Sequence, residues 1–327
     1  MTQTSARAYN RALLISTGIV LAVAAAFLIL LDRTGRLPAP PLTATNCIDE
    51  KFKFLHETDL RSPSLVAVGS SVTWRNLDLS VLEAGDGRPA DALNAAPCYL
   101  HVHETAFLAN FLVDNMPSVR TVLTVLAMRD LEACEGPGAF FDSDDARHYV
   151  FERAPAWHLY FLNFRPVRFI KDVVRLKDMR TAPPEGESLA MDRYGSSPMA
   201  SRTPDPYGNM VADPSCLTHL RRMAGALKAR GVRLVVALLP PMPAWLAAYD
   251  PQGTRDRAWR EGVVRTLAGT GAIVRDGAAS LRLRDAHFTD PMHLQWPATP
   301  ILTRWLVAEM QAAGVLPIPA RRHAHAF

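Results

Sequence analysis

The feature that most constrains the fold is a strand-like run at residues 64–68, Ser-Leu-Val-Ala-Val, which leads directly into Gly69-Ser70-Ser71. A continuous apolar run is typical of a strand that is buried on both faces of a parallel sheet. A glycine at its end predicts a tight turn with a positive φ. We therefore expect Ser71 at the carboxyl edge of the sheet, just before a helix.

Ligands of open α/β sheets bind outside this edge. A serine at this position presents its hydroxyl and directs its backbone N–H at a bound oxyanion, which makes Ser71 a candidate nucleophile. The alternative is an ordinary strand-to-helix turn in which Ser70 or Ser71 caps the helix. The motif alone does not decide between the two.

Apolar runs and turn signals predict strands and helices that alternate along the chain. Strands are expected at 64–68, 92–94, 119–126, 232–239 and 272–274, and helical segments at 78–83, 103–115, 218–230, 255–268 and 297–313. This alternation predicts parallel βαβ units in a three-layer α/β/α sandwich. A flavodoxin-like strand order, 2-1-3-4-5, places the ends of the first and third strands beside a switch point.

Asp290-Pro-Met-His293 lies near the other end of the chain. A serine nucleophile needs a base within hydrogen-bond reach and an acid that orients the base. The order Ser, Asp, His is one known solution. His287 is an alternative base, but the Asp-x-x-His spacing favours His293.

Gly69-Ser70-Ser71-Val72 resembles the Gly-Asp-Ser-Leu block of the SGNH (GDSL) hydrolase superfamily, and Asp290-x-x-His293 resembles its closing block. The resemblance extends over most of residues 60–313. It implies an SGNH hydrolase fold in which Ser71 is the nucleophile, His293 the base and Asp290 its orienting partner.

The superfamily resemblance also implies an oxyanion hole with three donors: the serine N–H, a glycine N–H after the second strand, and an asparagine side chain after the third. Asn94-Ala-Ala-Pro-Cys-Tyr99 resembles the second block without its glycine. The N–H of Tyr99 or Cys98 then takes the place of the glycine N–H, and Asn94 is expected near the pocket. His101 and His103 follow this block, either as pocket residues or as structural histidines.

Ala127-Met-Arg-Asp130 stands where the third block has Gly-x-Asn-Asp. Arg129 therefore aligns with the asparagine donor, and Asp130 is expected near the pocket. An arginine is a cation with five donors and is able to stabilise an oxyanion. The alternative is an ion pair between Arg129 and Asp130 or Glu132.

The N-terminal region contains 20 consecutive residues without a charge, Ala12 to Leu31. A helix of this length spans a bilayer core. The run ends without a small-residue cleavage site, so an uncleaved anchor is favoured over a cleaved signal peptide. Basic residues lie on both sides of the run, at Arg7, Arg11, Arg33 and Arg36. We expect a cytoplasmic N-terminus and a catalytic domain outside the bacterial cytoplasmic membrane, in the periplasm.

The resulting division of the chain is a cytoplasmic tip and transmembrane anchor (1–36), a linker (37–59), an SGNH-like domain (60–316) and a basic tail (317–327). The domain carries an insertion at 135–215 that mixes aromatic and basic residues and then becomes rich in Pro, Gly and Ser. Such a segment is often functional. A cap over the site, a helix facing lipid headgroups, a carbohydrate-binding wall and a solvated surface helix all remain open.

The four cysteines lack metal-binding spacing. They are Cys47, Cys98, Cys134 and Cys216. An oxidising compartment permits up to two disulfides in any of three pairings, and buried thiols are the alternative. His323 and His325 lie in the basic tail and indicate a mobile end rather than a metal site. The sequence thus predicts no metal and no cofactor.

The net charge of +4 is small and the Lys and Arg residues are scattered, so no nucleic-acid partner is expected. The anchor, the altered oxyanion blocks and Asp-Pro-x-His-Leu resemble one branch of the superfamily: the proteins of polysaccharide O-acetylation and the SGNH-type protein of lipoteichoic acid D-alanylation. This resemblance implies acyl transfer to an exported or cell-surface glycan beside a multi-spanning O-acyltransferase. The alternatives are a carbohydrate or lipid esterase and a catalytically silent assembly partner.

Overall fold

The computed structural model describes residues 3–43, 45–83, 90–181, 188–200 and 208–316. Within these ranges the α-helices are α1 (Gln3–Arg33), α2 (Asn46–Glu57), α3 (Ser71–Asn76), α4 (Val102–Asn115), α5 (Ser143–Val150), α6 (Trp157–Leu162), α7 (Pro166–Thr181), α8 (Pro214–Ala229), α9 (Pro243–Tyr249), α10 (Thr254–Leu267) and α11 (Thr299–Ala312). The strands are β1 (Leu65–Ala67), β2 (Ala92–Asn94), β3 (Thr121–Leu126), β4 (Arg233–Leu238), β5 (Ile273–Asp276), β6 (Phe288–Asp290) and β7 (His293–Leu294).

Strands β1 to β5 form a parallel sheet in the order β2-β1-β3-β4-β5, as the sequence predicts. Every residue of β1 and β3 is buried, which explains why these strands appear in the sequence as unbroken runs of mainly apolar residues. Connections between parallel strands are right-handed. The reversal of direction at β2 therefore places α3 on one face of the sheet and α4, α8 and α10 on the other. Accordingly, α8 contacts α4 and α10, whereas α3 contacts α11.

Gly69 ends β1 for a different reason from the one that the sequence suggests. Its φ is not positive, so the predicted left-handed turn is wrong. A Cβ at Gly69 would overlap the Thr73 side chain and lie 3.2 Å from Thr124 Oγ1. The Thr73 hydroxyl needs this space because it donates to Val125 O at 2.9 Å and accepts from Val125 N at 3.0 Å. The glycine therefore allows α3 to dock on β3.

The structure corrects the predicted linker over residues 37–59. Helix α2 occupies most of it and is buried in the core through residues such as Phe52 and Leu55. Lys51 is also buried; its Nζ donates to Asn94 O at 3.0 Å and to Gly195 O at 2.6 Å. Burial lowers the pKa of Lys51 well below its usual value. Three charged residues of α2, Asp49, Glu50 and Lys51, therefore lie inside the domain, whereas the composition of the helix suggests a solvated segment.

The four cysteines form two disulfides, Cys47–Cys98 and Cys134–Cys216, with Cα–Cα distances of 5.9 and 5.2 Å. The first joins α2 to the segment after β2. The second joins the segment after β3 to α8. Both therefore brace the chain beside the carboxyl ends of strands.

The insertion at 135–215 contains α5, α6 and α7. Helix α5 contacts α2, whereas side chains of α6 and α7 pack against the end of α1. Residues 188–200 lie beside α3, where Gly195 O accepts from Trp74 Nε1 at 2.9 Å. The tail at 317–327, with His323 and His325, lies outside the described residues.

Helix α1 is long and apolar enough to cross a membrane over Ala6–Arg33, and only 6% of an 18-residue apolar window in it is buried in the protein. Among the described residues it is the one helix of this kind.

Candidate active site at the carboxyl edge of the sheet

The short antiparallel pair β6–β7 carries both residues of the Asp-x-x-His motif. Asp290 and His293 are partners in this pair, with Pro291 and Met292 between them. Asp290 Oδ1 accepts from the backbone N of Met292 and of His293, both at 3.0 Å. These bonds hold the carboxylate so that Oδ2 lies 2.7 Å from His293 Nδ1. A carboxylate only accepts hydrogen bonds, so this contact places the proton on Nδ1 and leaves Nε2 as a base.

Asp290 is suited to orienting the His293 ring because its carboxylate stays ionised. Its side chain is 4% exposed, and burial raises its pKa. The attraction to His293, the bond from its ring and the two backbone N–H donors outweigh burial, so the pKa is lowered overall. An ionised Asp290 orients the imidazole and stabilises the imidazolium that forms when His293 accepts a proton.

Ser71 completes the chain of bonds. Its hydroxyl lies 2.9 Å from His293 Nε2, although 222 residues separate the two in sequence. Ser71 is half-buried at the first position of α3, whereas His293 is 4% exposed. The structure thus brings the three predicted residues, Ser71, His293 and Asp290, into one hydrogen-bonded series that begins at a solvent-accessible hydroxyl.

The side chain of Asn76 links helix α3, which carries Ser71, to the β6–β7 pair. This role was not predicted from the sequence. Asn76 Nδ2 donates to Met292 O at 2.9 Å, and its Oδ1 accepts from Leu294 N at 2.6 Å. The side chain is fully buried. Since Asn76 ends the helix that Ser71 begins, it fixes the distance between the nucleophile and the β6–β7 pair. A clue in the sequence is that Asn76 lies five residues after the candidate serine.

The two adjacent serines have separate roles. Ser70 caps α3: its Oγ accepts from Val72 N at 3.0 Å and donates to Asp130 Oδ1 at 2.5 Å. Ser71 has neither contact and faces His293. The helix-cap interpretation therefore applies to Ser70, and the nucleophile interpretation to Ser71.

Asp130 is a buried brace between the ends of β1 and β3. Besides the bond from Ser70, its Oδ2 accepts from Ala127 N at 2.7 Å. Burial raises its pKa to about 6, against the opposing effect of these hydrogen bonds. Asp130 is 4% exposed and reaches the site through Ser70, so it supports the turn that carries Ser71.

The N–H groups of Ser71 and Tyr99 are the backbone donors predicted for an oxyanion. Among the hydrogen bonds of the described residues, none uses the N–H of Ser71 or that of Tyr99. Tyr99 has a φ of +59°, the left-handed conformation that favours glycine, and its side chain is 73% exposed. The residue that replaces the glycine of the second block thus keeps a backbone conformation that a glycine adopts easily. Strained backbone of this kind concentrates at functional sites.

Two other predicted site residues have structural contacts. Arg129 forms an ion pair with Glu132, with Nη1 3.3 Å from Oε2, which is one of the two alternatives for this arginine. Asn94 is fully buried, and its Nδ2 donates to the carbonyls of Thr73 and Trp74 at 3.3 and 3.1 Å. The structure therefore places Asn94 beneath α3 and away from any solvent-accessible pocket.

Among the described residues, His293 is the histidine that is hydrogen-bonded to Ser71. His287 Nδ1 accepts from Arg284 N at 3.1 Å, so His293 and not His287 lies beside the nucleophile. His101 begins α4, with its N–H donating to Glu104 Oε2 at 2.7 Å. His103 is buried with Phe140 and His219 around its ring, and burial lowers its pKa. In the described part of the chain, no group of three or more His, Cys, Asp or Glu side chains is arranged to hold a metal ion.

No model of a known protein family matches the chain, and no curated protein matches it significantly.

Proposed function

We propose that the protein is a membrane-anchored, extracytoplasmic SGNH-type O-acyltransferase that transfers an acyl group, in the simplest case acetyl, to a hydroxyl of an exported polysaccharide. One observation carries the serine chemistry: Ser71 Oγ, the His293 ring and the Asp290 carboxylate form an unbroken series with contacts of 2.9 and 2.7 Å. Each contact is within the range needed for proton transfer from nucleophile to base.

In the first half-reaction, His293 Nε2 takes the Ser71 proton while Ser71 Oγ attacks the carbonyl carbon of an acyl donor. The tetrahedral intermediate carries its negative charge on the former carbonyl oxygen. His293 then returns the proton to the leaving group, and an acyl ester remains on Ser71. In the second half-reaction, His293 deprotonates the sugar hydroxyl, which attacks the acyl-Ser71 ester and restores the free serine.

The N–H groups of Ser71 and Tyr99 are the donors that we assign to the oxyanion. Removing one donor from such a site typically costs about 2.7–4 kcal/mol in the barrier. The third donor of the superfamily pattern has no direct counterpart, because Arg129 is paired with Glu132. Only the two backbone N–H groups then donate to the oxyanion, until a bound substrate breaks the Arg129–Glu132 ion pair and the guanidinium donates as well.

The location rests on α1 and the two disulfides. Disulfides persist mainly outside the cytoplasm, and both pairs lie in the domain that follows α1. A cytoplasmic N-terminus with the domain on the outer face of a bacterial cytoplasmic membrane accommodates both features. The glycan acceptor, and a multi-spanning O-acyltransferase as the source of the acyl group, follow from the superfamily branch that the sequence resembles.

The paired state of Arg129 also favours a second candidate, a catalytically silent partner of the acyltransferase. To separate the functions, the full chain in vesicles is incubated with an acetyl ester and a soluble glycan, alone and with membranes that contain the partner. Acetylated glycan that disappears in a Ser71→Ala variant supports the transferase. Free acetate without acetylated glycan identifies an esterase, and unchanged acetylation by Ser71→Ala identifies a silent partner.

A further inference from the structure

Helices α6 and α7 and their connection, residues 157–181, are called here the α6–α7 hairpin. It packs against the last turns of α1. Leu28 and Leu31 of α1 are each only 6% exposed, and they form a cluster with Leu37 and Tyr160. Phe169 and Val173 of α7 complete this cluster. The rest of the α1 surface is largely exposed, so this contact is confined to its C-terminal end.

Polar contacts hold the hairpin against the chain that leaves α1. Arg180 binds both oxygens of Glu50, at 2.6 and 2.7 Å, and donates to Leu37 O at 2.8 Å. The Tyr160 hydroxyl donates to Pro38 O at 2.5 Å. Residues 37–40 are buried, so this part of the predicted linker packs against the hairpin. The position of the hairpin along α1 is therefore fixed.

With α1 across a bilayer, the hairpin lies at the surface of the membrane. The uncharged run Ala12 to Leu31 forms about 30 Å of helix, which matches the thickness of a bilayer core. Leu28 and Leu31 then lie in the outer part of the hydrocarbon layer. Any element that packs against them must reach the headgroup region of the outer leaflet.

The surface that the hairpin presents there is apolar. Val167, Ile170 and Val174 of α7 are 69, 63 and 59% exposed, and their spacing of three and four residues places them on one face of the helix. Leu162 and Phe164, at the connection between α6 and α7, are also exposed, by 75 and 55%. Phe169 and Val173 occupy a different face of α7, so the exposed stripe is a second apolar face. Soluble surfaces rarely carry so many exposed apolar side chains in one place.

Basic residues flank the stripe. Lys171 and Arg175 lie on one side of it in the helical sequence and Lys177 on the other, and all three are exposed. A helix with an apolar face bordered by Lys and Arg is typical of elements that lie in the plane of a membrane interface. The long basic side chains then reach the phosphate groups of anionic lipids.

We propose that the α6–α7 hairpin is a second membrane contact, which inserts Val167, Ile170 and Val174 into the outer leaflet and binds anionic phospholipid headgroups through Lys171 and Arg175. The occupant of this face is the bilayer because the hairpin is held beside the C-terminal end of α1 and basic residues border its exposed stripe. This inference rests on the membrane-spanning role proposed for α1, but it is independent of the serine chemistry. Its consequence is that the catalytic domain is seated on the membrane in one orientation.

The test uses the full chain with one added cysteine, because the native cysteines of the structure are paired in disulfides. Ile170→Cys places an environment-sensitive fluorophore on the stripe. Val264→Cys is the matched control, since Val264 is an exposed apolar residue (46%) on α10, away from the hairpin. Both proteins are reconstituted into vesicles of phosphatidylethanolamine and phosphatidylglycerol and exposed to brominated lipids or aqueous iodide.

We expect brominated lipid to quench the label at position 170 several-fold more than the label at 264, and iodide to show the reverse order. Equal quenching at the two positions would overturn the proposal. Shielding at position 170 that arises only in native membranes, and not in pure lipid, would assign the face to a protein partner instead. Adding Lys171→Glu and Arg175→Glu to the labelled protein should increase iodide quenching, and no increase would reject the headgroup contact.

Carbonate extraction of the same vesicles reports on α1 separately. A chain that remains in the membrane while position 170 is quenched only by iodide disproves the hairpin contact and leaves the anchor intact. A chain that is extracted disproves the anchor, and with it the basis of the inference.

Discussion

The candidate active site at the carboxyl edge of the sheet and the α6–α7 hairpin differ in which side chains they bury and which they expose. At the sheet edge, Asp290 and His293 are buried and bound to defined partners, and only Ser71 opens toward solvent. On the hairpin, apolar side chains such as Ile170 are exposed beside unburied cations. In the proposed function, the buried edge supplies a fixed geometry for bond making, and the exposed stripe of the hairpin supplies a surface for the membrane.

The largest effect is expected when the Ser71 hydroxyl is removed, because the difference between the two regions depends on Ser71 being the reactive group of the first. Ser71→Ala should lower acyl transfer by at least about 10⁴-fold, because the remaining groups only bind and polarise the substrate. Turnover in vesicles with a fixed acyl donor measures the effect. Ser70→Ala is the matched control: it should lose about 1 kcal/mol of stability with its helix cap but retain the nucleophile. Equal loss of activity in both variants would show that the turn, and not Ser71, matters.

Asn76→Ala tests whether the rigidity of the catalytic edge has the cause assigned to it. The change leaves the Met292 carbonyl and the Leu294 N–H buried without partners, which should cost about 2–4 kcal/mol of unfolding free energy. Urea denaturation of the full chain in detergent measures it. Asn76→Asp keeps the acceptor for Leu294 N but sets a buried carboxylate oxygen against the Met292 carbonyl, so near neutral pH it should lose at least as much as the alanine variant. If Asn76→Ala unfolds like the unchanged protein, another element holds β6–β7 against α3.

Asp130 provides a pH signature for the buried edge. Its folded pKa, about 6, lies above the unfolded value of about 3.9. The stability that Asp130 contributes is therefore fully present below about pH 4 and is lost as the pH rises through about 6. Relative to Asp130→Asn, the unchanged protein should lose up to about 3 kcal/mol between pH 4 and pH 7.

Denaturant titrations of both proteins at several pH values test this difference. Asp49 also has a raised pKa, about 7. Its contribution to the pH dependence is the same in both proteins and cancels in the difference. A difference that does not change with pH would mean that Asp130 is ionised in the folded protein across this range.

The smallest expected effect concerns Tyr99. Tyr99→Gly relieves a left-handed backbone conformation that costs a non-glycine residue about 1 kcal/mol, and the exposed ring contributes little burial. The unfolding free energy should rise by up to about 1 kcal/mol, and turnover should fall less than tenfold because the N–H is retained. A loss above 100-fold would show that the ring itself binds substrate.

The sheet was predictable because its central strands β1, β3 and β4 are almost entirely buried, and the runs at 119–126 and 232–239 are long enough to recognise. The strands β6 and β7 have three and two residues, too few for any periodic pattern, so only the Asp-x-x-His spacing pointed to them. Asn76 and its hydrogen-bond partner Met292 are 216 residues apart in the sequence, so no local pattern predicts their contact.

Other features could not be predicted for physical reasons. Helix α2 carries charges at Glu50 and Lys51 that are buried because distant residues, Arg180 and Gly195, satisfy them. Cysteine spacing permits three pairings, and the fold selects one. The α6–α7 hairpin has a composition that fits a solvated helix equally well, and its meaning depends on its contact with α1.

The most direct test of the central claim is covalent labelling of the full chain with a fluorophosphonate, followed by peptide mass spectrometry. The probe reacts with a serine only when a neighbouring base activates it. We expect one adduct on Ser71, which His293→Ala abolishes and Ser70→Ala leaves in place. No adduct on Ser71, or equal labelling in the His293→Ala variant, would contradict it.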